Sequence, residues 1–185
     1  MLSITRSIFF SRLSISSRIN LLVFLVAVGI IGILLGTYIH IKNDMLDINV
    51  MHRKHLVETA YSVLEQLEDD VKHKRLSKKA AQKRALKRIS TLRYGESNYF
   101  WVQDLKGYFL WHPISDLVGQ NLIDDKDAHG KKYMQSFIKI AKEKGEGVDV
   151  YYWPPTDGRK KVSYIKHFPA WDWVVGSGTY VQHIE

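Results

Sequence analysis

The chain contains no cysteine among its 185 residues, so no disulfide framework and no thiolate chemistry is open to it. That fits an exported domain that does without disulfides. Catalytic signatures are missing too. There is no Gly-x-Ser-x-Gly, no glycine loop leading into a helix and no His-Glu-x-x-His. Gly176-Ser177-Gly178 sits inside a strand pattern with no helix after it, which points to close packing of the sheet on a neighbour. His52 and His55 share a helix face, but nothing nearby completes a metal shell. No residue constellation supports an enzyme, a metal site or a cofactor.

Charge is absent from residues 19–39, which are mostly Leu, Val, Ile and Gly. Roughly 20 apolar helical residues cross a bilayer core. A cleaved signal has a shorter apolar run and a small-residue site after it, and the flank Tyr38-Ile39-His40-Ile41-Lys42 has none. The expectation is a membrane anchor at 19–41. Arg6, Arg12 and Arg18 precede it without an acid, whereas Lys42, Asp44 and Asp47 follow. The positive-inside rule then places 1–18 in the cytoplasm and the rest outside.

Net charge is +8. Apart from the three N-terminal arginines, 24 basic residues face 19 acidic ones, and much of the excess lies between Lys72 and Arg88. These residues read as the solvated face of an amphipathic helix, and a nucleic-acid partner is not expected outside a membrane.

Proline and glycine are absent from residues 43–74. Leu56, Ala60, Val63, Leu64, Leu67 and Val71 recur at helical spacing, which predicts a long helix over 43–75. Roughly 30 residues reach about 45 Å. The expected cover for its stripe is the chain's own domain on the C-terminal half and a second copy, as a homodimer, on the N-terminal half. Ser77 is the N-cap of a second helix whose buried face is Ala81, Ala85, Leu86, Ile89 and Leu92, ending near Tyr94-Gly95. A third helix is predicted over 131–144. Strands are predicted at 148–153, 161–168 and 173–181, with a turn at Thr156-Asp157-Gly158.

The most informative stretch is 99–113. Two aromatic-rich runs flank Asp104-Leu105-Lys106-Gly107, a hairpin turn with glycine at a position that needs positive φ. The second run ends on His112-Pro113. The element order gives an α+β domain over 43–185, with a ligand-binding core at 77–185. It is a PAS-like antiparallel five-stranded sheet packed on the long N-terminal helix, preceded by one transmembrane helix. Strand alternation puts Tyr99 and Trp101 on one face and Phe100 and Val102 on the other. It groups Tyr108, Leu110 and His112, and it separates Lys161 and Ser163 from Val162 and Tyr164. If Tyr99, Trp101, His112 and Lys161 meet, they form an apolar box with two cationic or donor groups. A small carboxylate is the missing partner for such a box. Spacing alone fits plain core equally well.

The ordered set Leu92-Arg93-Tyr94-Gly95, Tyr99-Phe100-Trp101-Val102-x-Asp104, His112-Pro113, Gly119-x-Asn121 and Asp127-x-x-Gly130 resembles the single Cache sensor domain of bacterial chemoreceptors and sensor kinases. The series continues with Gly145-Glu146-Gly147, Tyr151-x-Trp153-Pro154, Lys161-x-Ser163-Tyr164 and Trp171-Asp172-Trp173-Val174-Val175-Gly176-x-Gly178-x-Tyr180, so the likeness covers roughly 53–185. The resemblance implies an extracytoplasmic domain between two membrane spans in a cell inner membrane. It implies a short carboxylate ligand such as acetate, propionate, pyruvate or lactate. It also implies ligand contacts at Tyr99, Trp101, His112 and Lys161, with Arg93 and Tyr151 second. Tyr164 joins them only if its strand is bulged. Trp111 and His129 depart from the family pattern. A receptor would continue past residue 185 into a second span, so the sequence reads as the sensor portion of a longer protein or as a stand-alone anchored domain.

Overall fold

The computed structural model describes residues 14–95, 98–156 and 158–181, without the side chains of 42–49. The chain divides into two units, 1–48 and 49–185.

The first helix among the described residues, α1, runs over Ile15–Lys72. Its start is set by Ser14, whose Oγ accepts the N–H of Ser17 at 3.2 Å. The helix begins four residues before the span expected at 19–41. Within the first unit, Ile15–Ile41 is long and apolar enough to cross a membrane, with mean hydropathy 2.8 and none of its most apolar stretch buried by protein. Leu22, Val23, Phe24 and Leu35 all stand exposed. The arginines at 6 and 12 lie outside the described residues.

In the second unit α1 carries the expected stripe. Val57, Ala60, Leu64 and Leu67 are fully buried, while Leu56, Val63 and Val71 flank them half-buried. Lys74 takes the left-handed conformation after the helix end, φ 57°. The guanidinium of Arg75 reaches back to Asp69 and Asp70 at 2.6 and 2.7 Å. Helix α2, Lys78–Thr91, is capped by Ser77 and buries Ala81, Ala85 and Ile89. It stops at Thr91 and not near Tyr94, because Arg93–Tyr94 forms a short strand, β1.

The remaining elements are β2 (Asn98–Asp104), β3 (Phe109–Trp111), α3 (Tyr133–Lys144), β4 (Glu146–Trp153), β5 (Arg159–Phe168) and β6 (Trp173–Tyr180). The five expected strands are present, and β1 makes a sixth. The sheet is antiparallel in the order β1-β2-β6-β5-β4. Strand β3 shares with β1 the outer edge of β2. Two residues are too few to show a period-2 pattern, so β1 leaves no signal in the sequence. At the hairpin, Asp104 Oδ1 accepts the N–H groups of Lys106 and Tyr108 at 2.9 Å each, and Gly107 has φ 95°. Of the expected turn at 156–158, position 157 lies outside the described residues.

The sheet has two covered faces. Helices α1 and α2 pack on Phe100, Val102, Tyr164, Phe168, Trp173 and Val175. Helix α3 and the chain around Leu122 pack on Trp101, Phe109, Tyr151, Trp153, Ile165 and Val174. The second face closes down on glycine. A Cβ at Gly176 would lie 2.3 Å from the Trp101 indole, and one at Gly178 would lie 2.1 Å from Ser163 Oγ. The Gly176-Ser177-Gly178 run thus lets side chains of the adjacent strands lie flat across β6. Gly176→Ala is expected to destabilise the domain by about 1–3 kcal/mol through overpacking against Trp101. A lowered denaturation midpoint of the detergent-solubilised protein, with unchanged m-value, is the readout.

Candidate functional site

The site lies on the α3-covered face, and cross-strand register assembles it. Tyr151, Lys161 and Tyr180 stand side by side on β4, β5 and β6. Lys161 is 1% exposed. Its Nζ donates to Tyr99 Oη at 2.8 Å. Four rings enclose the ammonium, with centroids 4.3 Å (Tyr99), 5.2 Å (Trp101), 5.2 Å (Trp153) and 5.3 Å (Tyr180) away. Cation–π contacts soften the loss of water around a buried cation but do not neutralise it. Burial alone pushes the lysine down to about 7, and no carboxylate pulls it back.

His112 is 1% exposed as well and wedges between Tyr99, Phe109 and Trp153, with ring centroids 5.0–5.5 Å away. Its Nδ1 accepts the Ile114 N–H at 3.0 Å, so the neutral ring carries its proton on Nε2 as a donor. Burial, reinforced by the charge of Lys161, lowers the imidazole to about 3. Burial raises the phenols of Tyr99 and Tyr151, which stay protonated; Tyr151 Oη pairs with Ser163 Oγ at 3.0 Å. Trp153 Nε1 is buried with no hydrogen-bond partner among the described residues. Trp101 Nε1 donates to Gln103 Oε1 at 3.2 Å, so its indole is a wall and not a free donor. The cluster is rich in donors and its own members include no acid; Asp149, buried on the same face of β4, is paired with Lys131.

Tyr99, Trp101, His112, Lys161 and Tyr151 are therefore brought together. Arg93 is not. It is exposed, and its guanidinium donates to the carbonyls of Ser90 and Leu92 at 2.8 and 2.7 Å, where α2 leaves its last acceptors unpaired. Tyr164 stays opposite Lys161 in the α1-facing cluster, because the β4–β5 register runs without a bulge. Strict alternation on β3 fails. Leu110 and Trp111 both pack into the cluster covered by α1 and α2, whereas His112 joins Phe109. The strand is only three residues long, the β2–β3 register shifts between Val102 and Gln103, and the chain leaves the strand before His112. Trp153 and Tyr180 belong to the motif set but are not among the ligand contacts expected from the sequence. The available signal was two-residue spacing, Trp153 from Tyr151 and Tyr180 from Gly178.

A family model, Single Cache domain 2, matches residues 46–185. The chain belongs to that family. It is 32% identical over 180 residues to the methyl-accepting chemotaxis protein McpP of Pseudomonas putida, covering 94% of this chain and 32% of that protein. It is 33% identical over 109 residues to the sensor histidine kinase MctS of Rhizobium johnstonii, covering 57% of this chain and 23% of that kinase. The chain thus spans about a third or less of the length of these curated relatives. Among solved structures, a Cache chemosensory domain described for its carboxylic acid recognition is 33% identical with TM-score 0.72, covering 76% of this chain and 98% of that one. The Cache domain of this chain is a sensing module of the kind found in chemoreceptors and sensor kinases.

The buried lysine has a thermodynamic signature. Its folded value lies below its unfolded one, so between about pH 7 and its ordinary range the unfolded chain binds more protons. Stability of the empty domain is expected to rise with pH across that window. Lys161→Met is expected to remove the slope and to stabilise the domain at pH 7 by a few kcal/mol, on the order of the lost desolvation cost. Denaturant titrations of both proteins at pH 7 and pH 9 check this.

Proposed function

We propose that this Cache domain is the periplasmic ligand-sensing part of a chemoreceptor-like protein anchored in the inner membrane through residues 15–41, and that it captures a small monocarboxylate such as acetate, propionate, pyruvate or lactate. One observation carries the reading: a fully buried lysine, a neutral histidine donor and an unpartnered indole N–H come together with no carboxylate bonded to any of them among the described residues, since Asp149, on the same sheet face, is paired with Lys131. A carboxylate supplies what each of them lacks, and charge-assisted hydrogen bonds are the strong ones. The solved Cache domain described for carboxylic acid recognition supports it. A homodimer formed through α1 is part of the same proposal. The donors also select against an ammonium group, which would meet Lys161, while the acid on that face, Asp149, is already paired with Lys131. Zwitterionic amino acids are expected to bind on the order of 100-fold more weakly than the matching acids, the cost of an unpaired buried charge.

Calorimetry of the solubilised chain against a panel of short acids tests the proposal. Lys161→Met is expected to abolish binding without loss of fold. No binding by any acid, or full binding by the variant, contradicts it.

The pH dependence follows from the same lysine. Above about pH 7 the empty site is mostly neutral, and a bound carboxylate restores the ammonium. Binding is expected to take up close to one proton there, and affinity to fall about tenfold per pH unit. Titrations in two buffers of different ionisation enthalpy measure the proton directly.

A further inference from the structure

Strand β6 carries the site on one face and α1 on the other. Tyr180 lies over Lys161, and its neighbour Thr179 points the opposite way. Arg53 of α1 donates to Thr179 Oγ1 from both Nε, at 3.1 Å, and Nη2, at 2.8 Å. A second route leaves the same lysine. Tyr99, which accepts from Lys161, has its carbonyl held by Ser177 Oγ at 2.7 Å. Ser177, fully buried, pairs with Tyr94 Oη at 2.6 Å. The Tyr94 phenol lies within the electrostatic reach of Arg53. Two routes from one ammonium, one of contacts through a strand face and one through a buried hydroxyl that ends in an electrostatic step, thus converge on one guanidinium of α1.

We infer that Arg53 and Thr179 are coupling residues: they pass occupancy of the Lys161 site to α1 and are dispensable for binding itself. This rests on the carboxylate-sensor reading above. A ligand that draws Lys161 away from Tyr99 and Tyr180 releases both ends of β6 contacts that Arg53 reads. The coupling is a contiguous physical network whose end groups touch no ligand. The nearby Lys54–Glu146 ion pair, 2.6 Å, also joins α1 to the sheet, at the start of β4. It lies off both routes and provides a control.

The test uses the full chain in lipid nanodiscs and a saturating mixture of acetate, propionate, pyruvate and lactate. Calorimetry reports binding, and hydrogen exchange at residues 49–60 reports the helix. In the wild-type protein the mixture is expected to change exchange in that segment. Thr179→Val, which keeps shape and loses the acceptor, is expected to bind within about threefold of wild type and to lose the helix response at least about fivefold. Thr179→Ser is expected to restore it, and Glu146→Gln to leave it intact. Arg53→Lys serves where Thr179→Val folds poorly, and it is expected to show the same split. A full helix response in Thr179→Val, an equal loss in Glu146→Gln, or loss of binding together with response overturns the inference while leaving the sensor reading in place. Failure of the wild-type protein to bind any component removes the sensor reading, and the inference with it.

Discussion

An ammonium enclosed by four aromatic rings, bonded to one phenol and to no carboxylate among the described residues, is the constraint around which this domain is organised. Burying a cation costs several kcal/mol unless something compensates. Here ring faces and one phenol oxygen compensate in part, and the protonation equilibrium of the lysine absorbs the rest. An apolar residue at position 161 would fill the same space more stably. Retaining lysine makes sense when an anion completes the site.

The surrounding architecture holds that cation in place. Glycines in β6 let the Trp101 indole and Ser163 lie against the strand, which brings the walls of the box down to contact. The Ile114 amide fixes the His112 tautomer, so the ring points a donor and not a second charge. Helix α3 stacks Tyr133 on Tyr151 at 5.5 Å and sets Phe137 against Trp101 at 5.9 Å, which closes the face from water. On the opposite face α1 and α2 bury an apolar layer of their own. Sheet residues alternate between a layer that binds α1 and a layer that encloses the lysine. Movement in one is therefore geometrically tied to the other.

The parts legible in the sequence were those with local periodicity. Spacings of three and four placed the buried stripe of α1 and the Ala81–Ala85–Ile89 face of α2. Period-2 alternation sorted Tyr99 and Trp101 from Phe100 and Val102, and Lys161 from Tyr164. Alternation failed on β3, where three residues and a shifted register leave no pleat to count. Arg93 stands apart from the cluster because backbone carbonyls at a helix end hold its guanidinium, a local pairing that strand and helix periodicity do not display. Trp153 and Tyr180 reach Lys161 only through cross-strand register, which depends on pairing over distances that no short window contains.

The most direct measurement is the titration of Lys161 itself, followed by the Cε and Nζ resonances of isotopically labelled lysine and assigned with Lys161→Met. With no acid added the account predicts a midpoint near 7, moving back toward the ordinary lysine range when a short monocarboxylate saturates the site. A lysine that titrates in the ordinary range with the site empty, or whose midpoint ignores every acid in the series, contradicts it.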